Sequence, residues 1–157
     1  MTALHFAYGA NMNRDVMRKH APGARPLGVA VLAGYRFVIG GDGYASVEPA
    51  RILTQTVYGV LWRITAGDRA KLDAWENIGD GLYRAETIPV RIGGRRLPAL
   101  VYIARSGIVP ARPGYMEMVM AAAREWGLPD GYMRSLSRWL PTQTGGARDA
   151  KIREFRW

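Results

Sequence analysis

The chain has 157 residues, 48% of them hydrophobic, a formal charge of +9 and no cysteine. That suits one globular domain with its own core and leaves too little length for two, while the missing thiols rule out a disulfide framework, thiolate metal ligands and a cysteine nucleophile and fit a reducing compartment. The basic residues are scattered, with Arg95-Arg96 the one adjacent pair in mid-chain, so a solvated basic surface is expected, with neither nucleic acid nor a membrane as partner.

The opening MTALHFAYGA lacks the basic and uninterrupted apolar stretches of a signal peptide, and no later run is apolar enough to span a bilayer, so the chain reads as soluble and cytoplasmic. Leu4 to Tyr8 predicts a strand. Asn13 is placed to cap a short helix over Arg14 to His20, its side-chain oxygen accepting an orphan N–H of the first turn. Leu27 to Leu32 and Tyr35 to Ile39 read as a hairpin joined at Gly34, followed by a flexible turn at Gly40-Gly41-Asp42-Gly43. Thr56 to Ile64, rich in β-branched and aromatic residues, predicts a buried strand, and Thr65 starts a helix through Asn77.

Leu82 to Ile92 and Leu97 to Ala104 read as a hairpin about Gly93-Gly94, with Pro98 at a strand start or edge because it has no N–H for the ladder. Tyr115 to Trp126 predicts a helix ended by Gly127, and Asp130 caps another through Leu140. One domain over residues 1–140 is expected. The stretch 141–157, with Gly145-Gly146 and mixed charges, has the composition of a flexible C-terminal extension. Hairpins with only one helix between mid-chain strands favour an α+β fold, a small mixed β-barrel with flanking helices, over a doubly wound parallel sheet.

Two stretches carry chemistry. In Tyr8-Gly9-Ala10-Asn11 a glycine after a strand lets the backbone bend, and the following N–H groups can converge on an anion or a developing oxyanion, with Asn11 a further donor. The same residues also make an ordinary turn. In LDAWENIGDGLYR, residues 72 to 84, a helix sets Leu72 and Glu76 one turn apart with Trp75 beside them. The Glu76 carboxylate then falls on the margin of the apolar face, where burial raises its pKa and suits it to proton transfer. The alternative has Glu76 swinging out to solvent or pairing with an arginine such as Arg84.

These stretches occur together and in order with others, and the set resembles the γ-glutamylcyclotransferase-like family. FAYGANMN resembles its glycine-bearing first loop, LAGYRFVI followed by GYASVEP its next hairpin, and VYGVLWRI its central strand. LDAWENIGDGLYR is similar to the helix bearing the family's catalytic glutamate, and PARPGYMEMVMAAAREWGLPDGYMRSL to its closing helices. The resemblance spans residues 4 to about 140 and implies a compact barrel whose cavity cyclises a γ-glutamyl group to 5-oxoproline and releases the attached amine or amino acid. By position it makes Glu76 the general acid/base. Tyr8, Gly9, Ala10, Asn11 and Met12 match the loop that holds the glutamyl moiety, and Tyr83 and Tyr115 match tyrosines of the pocket. Ala10 departs from the family's usual serine: a role of its backbone N–H survives, whereas a hydroxyl hydrogen bond does not.

The implied reaction needs no metal and no organic cofactor, and His5 and His20, the two histidines, lack the neighbouring carboxylates of a metal site. Trp62, Trp75, Trp126 and Trp139 are expected to pack in the core. Glu48 and Asp73 are rival carboxylates, the first followed by Pro49 and the second expected nearer solvent. A non-catalytic module binding an acidic or γ-glutamyl metabolite is the alternative function, and it has no evident need of a proton shuttle.

Overall fold

The computed structural model describes residues 2–141 other than 77, 106 and 108, so the extension at 142–157 lies outside the described residues. In chain order the elements are β1 (Thr2–Ala7), α1 (Arg14–His20), β2 (Arg25–Ala33), β3 (Tyr35–Ile39), β4 (Ala45–Pro49), β5 (Thr56–Thr65), α2 (Ala66–Trp75), β6 (Tyr83–Ile92), β7 (Arg95–Ala104), α3 (Tyr115–Glu125) and α4 (Asp130–Ser137). Five strands close a barrel in the order β1-β5-β2-β6-β7, and β3 and β4 form a separate two-stranded sheet. The barrel is mixed because β1 meets β7 in parallel at His5 and Leu100, while the other contacts are antiparallel. The α+β mixed barrel expected from the sequence is therefore the fold.

Strand β5 is central because its residues pair on both edges, Thr65 to Val60 with β1 and Arg63 to Thr56 with β2. Its composition explains its depth. Val57, Val60, Leu61 and Ile64 are fully buried, and each such side chain contributes on the order of 1.5–3 kcal/mol by leaving water. Tyr58 and Trp62 share one face of the strand and meet Tyr132 of α4 and Trp126 at the end of α3 with ring centroids 5.2 and 6.0 Å apart. Gly59 allows the close approach of β1, since a Cβ there would lie 2.3 Å from the Ala7 carbonyl oxygen.

One hairpin is reassigned. The segments read as joined at Gly34 do not pair: β2 stays in the barrel, while β3 pairs with β4, Phe37 opposite Val47. The reason lies in the partners available. The Gly34 N–H donates to Gln55 and its carbonyl accepts from Ala50, so the chain crosses out of the barrel sheet at that point. In the β6–β7 hairpin Pro98 stands opposite Pro89, and neither can donate to the ladder.

The helix ends follow local chemistry. Asn13 accepts from the Asp15 and Val16 N–H groups and starts α1 as expected. Helix α3 stops in a Schellman motif, Gly127 at φ +72° donating to Arg124 and Leu128 to Ala123. Helix α4 is shorter than expected and lacks an Asp130 cap: Pro129 precedes it with φ already helical at −58°, and Asp130 is its first residue.

Candidate functional site

Helix α2 is anchored at one end so that its other end delivers a carboxylate. Thr65 and Asp68 form a reciprocal capping box, and the Asp68 carboxylate also accepts from the Gly23 N–H at 3.0 Å. Burial alone would raise the Asp68 pKa, but the hydrogen bonds from Thr65 and Gly23 outweigh it and hold the carboxyl below its ordinary value. Leu72 is fully buried. One turn later the helix ends, and Glu76 is its C-cap, with its N–H donating to Leu72 at 2.8 Å. The helix therefore stops before 77, and Glu76 turns off its margin into a cavity of about 460 Å³.

That cavity brings the first loop and the helix end together. Tyr8, Gly9, Ala10 and Asn11 line it beside Glu76, and Tyr83 and Tyr115 complete the set expected from the sequence. Met12 lies elsewhere. It is fully buried behind the loop, and its carbonyl accepts from Trp126 Nε1 at 2.7 Å.

The loop holds its N–H groups in a short 3-10 turn over Ala10–Met12. Met12 N–H returns to the Gly9 carbonyl at 3.1 Å, and Ala10 N–H approaches the Tyr115 hydroxyl at 3.4 Å. The N–H groups of Gly9 and Asn11 meet no acceptor among the described residues. Tyr115 fixes the wall opposite, its hydroxyl accepting from Ala45 N–H at 3.1 Å. Gly9 has no room for a side chain, because a Cβ would lie 2.6 Å from that hydroxyl and 2.9 Å from the Ala45 Cβ.

Burial pushes the Glu76 carboxyl up to about 8, and the negative charges of Asp42 and Asp73 add to the rise. Its position at the negative end of α2 works in the same direction. No ion pair joins Glu76 among the described residues. Arg84, the partner considered from the sequence, is engaged by Glu86 at 2.6 Å. The rival carboxylates are both paired: Glu48 with Arg36, and Asp73 with the Tyr102 hydroxyl at 2.6 Å and with Arg69 at 3.6 Å. Burial, first of all, also lifts the phenols of Tyr8, Tyr83, Tyr102 and Tyr115, so each stays protonated at neutral pH. Tyr8 donates to the Tyr102 carbonyl. Tyr83 donates to the Ala45 carbonyl at 3.2 Å, with the Asp42 carboxylate at 3.4 Å.

His5 lines the wall as a neutral ring. Burial drives its pKa down to about 4, and its Nδ1 faces the Leu100 carbonyl at 3.1 Å. Among the described residues no group of three His, Cys, Asp or Glu side chains is arranged to hold a metal ion.

Asp42, Tyr44, Tyr102 and Arg112 also line the cavity and were not singled out in the sequence. Asp42 lies on the stretch 40–43 expected to be a flexible turn, and Tyr44 directly follows it. It is pinned instead: Gly40 donates to Tyr44 at 2.7 Å, Gly43 to Gly40 at 2.9 Å, and Arg112 to the Gly43 carbonyl at 3.1 Å. The glycine run that suggested looseness serves the positive φ of 86° at Gly43 and the packing of Gly40 on Ala104. An acidic residue inside such a run was the signal that could have found the site. Trp75, expected in the core, faces the cavity and stacks on His20 with centroids 4.2 Å apart.

A buried carboxyl with a raised pKa, in one cavity with N–H groups that meet no acceptor among the described residues, is an arrangement that can move a proton and stabilise an oxyanion in one place. Comparisons with known proteins agree with this architecture. The profile of the AIG2-like family matches residues 56–136. The γ-glutamylcyclotransferase of Bos taurus is 25% identical, over 97% of this chain and 86% of that protein. The Mus musculus γ-glutamylcyclotransferase is 26% identical, over 92% and 82%. A solved structure titled γ-glutamyl cyclotransferase superposes with a TM-score of 0.83 over 93% of each chain at 24% identity, a likeness of fold. No described helix is long and apolar enough to cross a membrane. The chain belongs to the AIG2-like, γ-glutamylcyclotransferase-like family.

Proposed function

We propose that this protein converts a γ-glutamyl amine or γ-glutamyl amino acid to 5-oxoproline and the free amine or amino acid, with Glu76 as general acid/base and residues 1–140 as the single working domain. The observation that carries the reading is the place of Glu76, a carboxyl with no ion-pair partner among the described residues that lines the same cavity as the Tyr8 to Asn11 loop.

The substrate's α-ammonium cannot attack until it loses a proton. Glu76 in its carboxylate form takes that proton, and the freed amine attacks the γ-carbonyl carbon of its own chain to close a five-membered ring. Closure within one molecule gives the step a large proximity advantage. Negative charge gathers on the carbonyl oxygen, where the unengaged N–H groups of Gly9 and Asn11 are available as donors. The tetrahedral intermediate then breaks its bond to the leaving nitrogen, which receives the proton from Glu76, and the carboxylate so regenerated takes the second proton from the ring nitrogen and passes it to the released amine, which departs as an ammonium. Protons and charges balance without a cofactor. Ala10, in the family's serine position, takes part only through its backbone.

The test is to incubate wild type and Glu76→Gln with a panel of γ-glutamyl dipeptides and amines and detect 5-oxoproline by mass spectrometry. Wild type forms product and Glu76→Gln loses roughly a hundred- to ten-thousandfold of that activity, the range for removing a general acid/base. Because Glu76 works as a base from a pKa near 8, wild-type kcat/KM rises with pH towards about 8. Full activity in Glu76→Gln contradicts its role. Binding of the panel without turnover in wild type supports the non-catalytic module instead.

A further inference from the structure

The outer end of the cavity carries a cation that the proton chemistry leaves unused. Among the described residues Arg112 is the one lysine or arginine that lines the cavity, and the carboxyl side chains there are those of Asp42 and Glu76. Its stem is fixed at three points. Nε–H donates to the Asp42 carbonyl at 2.8 Å, and the guanidinium carbon lies 4.9 Å from the Tyr44 ring centroid. The Cγ packs on Gly43, where an added Cβ would meet it at 2.7 Å. No carboxylate pairs with Arg112 among the described residues, so its two terminal nitrogens have no anionic partner. A guanidinium with an oriented plane and two unused N–H-bearing nitrogens matches a carboxylate in shape and charge.

Position along the substrate decides which carboxylate. The inner end is made of Tyr8, Ala10, Asn11 and Tyr115, all buried, whereas Arg112 is exposed. A glutamyl head seated against the inner loop directs its leaving group outward. A leaving amino acid has its carboxylate two bonds beyond the scissile nitrogen, and a simple amine has none. That extra negative charge would enter beside Asp42 and Glu76, and Arg112 is the one lysine or arginine lining the cavity among the described residues.

We propose that Arg112 is a specificity-determining residue that selects γ-glutamyl donors whose leaving group carries a carboxylate, an inference that rests on the cyclotransferase reading above. The test compares γ-glutamylalanine with γ-glutamylethylamine, two donors that differ only in that carboxylate, on wild type, Arg112→Ala and Arg112→Lys. Arg112→Ala lowers kcat/KM for γ-glutamylalanine about tenfold, chiefly through KM, the scale of one charged hydrogen-bond pair. Its effect on γ-glutamylethylamine is at least fivefold smaller, and Arg112→Lys recovers part of the loss as a point charge without the fork. Equal losses on both donors overturn the proposal, since Arg112 would then serve the glutamyl head or the fold, and so does no loss on either.

Calorimetric Kd values for the same donors, measured in Glu76→Gln with and without Arg112→Ala, separate this inference from the reaction it rests on. Should wild type release no 5-oxoproline while the carboxylate-dependent binding difference persists, the reaction fails and the role of Arg112 stands. Should binding ignore the carboxylate, the role of Arg112 fails whatever the turnover.

Discussion

The two ends of the cavity are built by different means. The inner end is backbone and tyrosine: Tyr8 to Asn11 and Tyr115 are buried, and the Ala10 and Ala45 N–H groups converge on one phenol oxygen. The outer end is side chain and loop, with Leu82 at 47% exposure, Tyr44 half-buried and Arg112 exposed, the last two held by the 40–44 turn. Backbone donors at the inner end cannot be changed by mutation without moving the chain, so that end suits what all substrates share. Side chains at the outer end change freely, and that end suits what distinguishes one substrate from another. Glu76, delivered by α2, stands in the same wall as both.

The largest effect that would sharpen this contrast comes from Gly9→Ala. The added Cβ falls within 3 Å of both the Tyr115 hydroxyl and the Ala45 Cβ, and overpacking of this kind costs about 1–3 kcal/mol. The melting temperature should fall by several degrees, and displacement of the loop by about an ångström should cut kcat/KM on the order of a hundredfold. A fully active Gly9→Ala would break the claim that the inner end is fixed by backbone. Tyr115→Phe is milder. It removes the oxygen that accepts from Ala10 and Ala45 and strands buried N–H groups, a loss of about 1–3 kcal/mol readable by urea denaturation. At the other end Leu82→Ser should be the smallest, within about 0.5 kcal/mol of wild type, because the side chain is already half in water.

Much of the scaffold was legible because it rests on local rules. The Asn13 cap, the β6–β7 hairpin about Gly93-Gly94 and the Gly127 stop each follow from a few neighbouring residues and stand where expected. The Gly34 hairpin did not, because two apolar strands around a glycine carry the same local signal whether they pair with each other or part into different sheets. Only the long-range contacts of Gly34 with Gln55 and Ala50 decide it.

The candidate site divides in the same way. Tyr8 to Asn11, Glu76, Tyr83 and Tyr115 were named from the chain and share one cavity, whereas Met12 lies behind the wall. Asp42 and Arg112 were missed because they sit 70 residues apart in the sequence and meet through a single side chain to carbonyl hydrogen bond. The Asp42 carbonyl has no sequence signature, and an isolated arginine in a chain of +9 charge attracts no notice.

The most direct test of the account is the titration of Glu76 in the free protein, by ¹³C NMR of labelled glutamate side chains with the Glu76 resonance assigned by its loss in Glu76→Gln. Glu76 is expected to give up its proton near pH 8, well above the ordinary value of 4.5. A Glu76 that titrates near 4.5 would be a solvated surface carboxylate, and the cavity would then lack the proton carrier on which the proposed reaction depends.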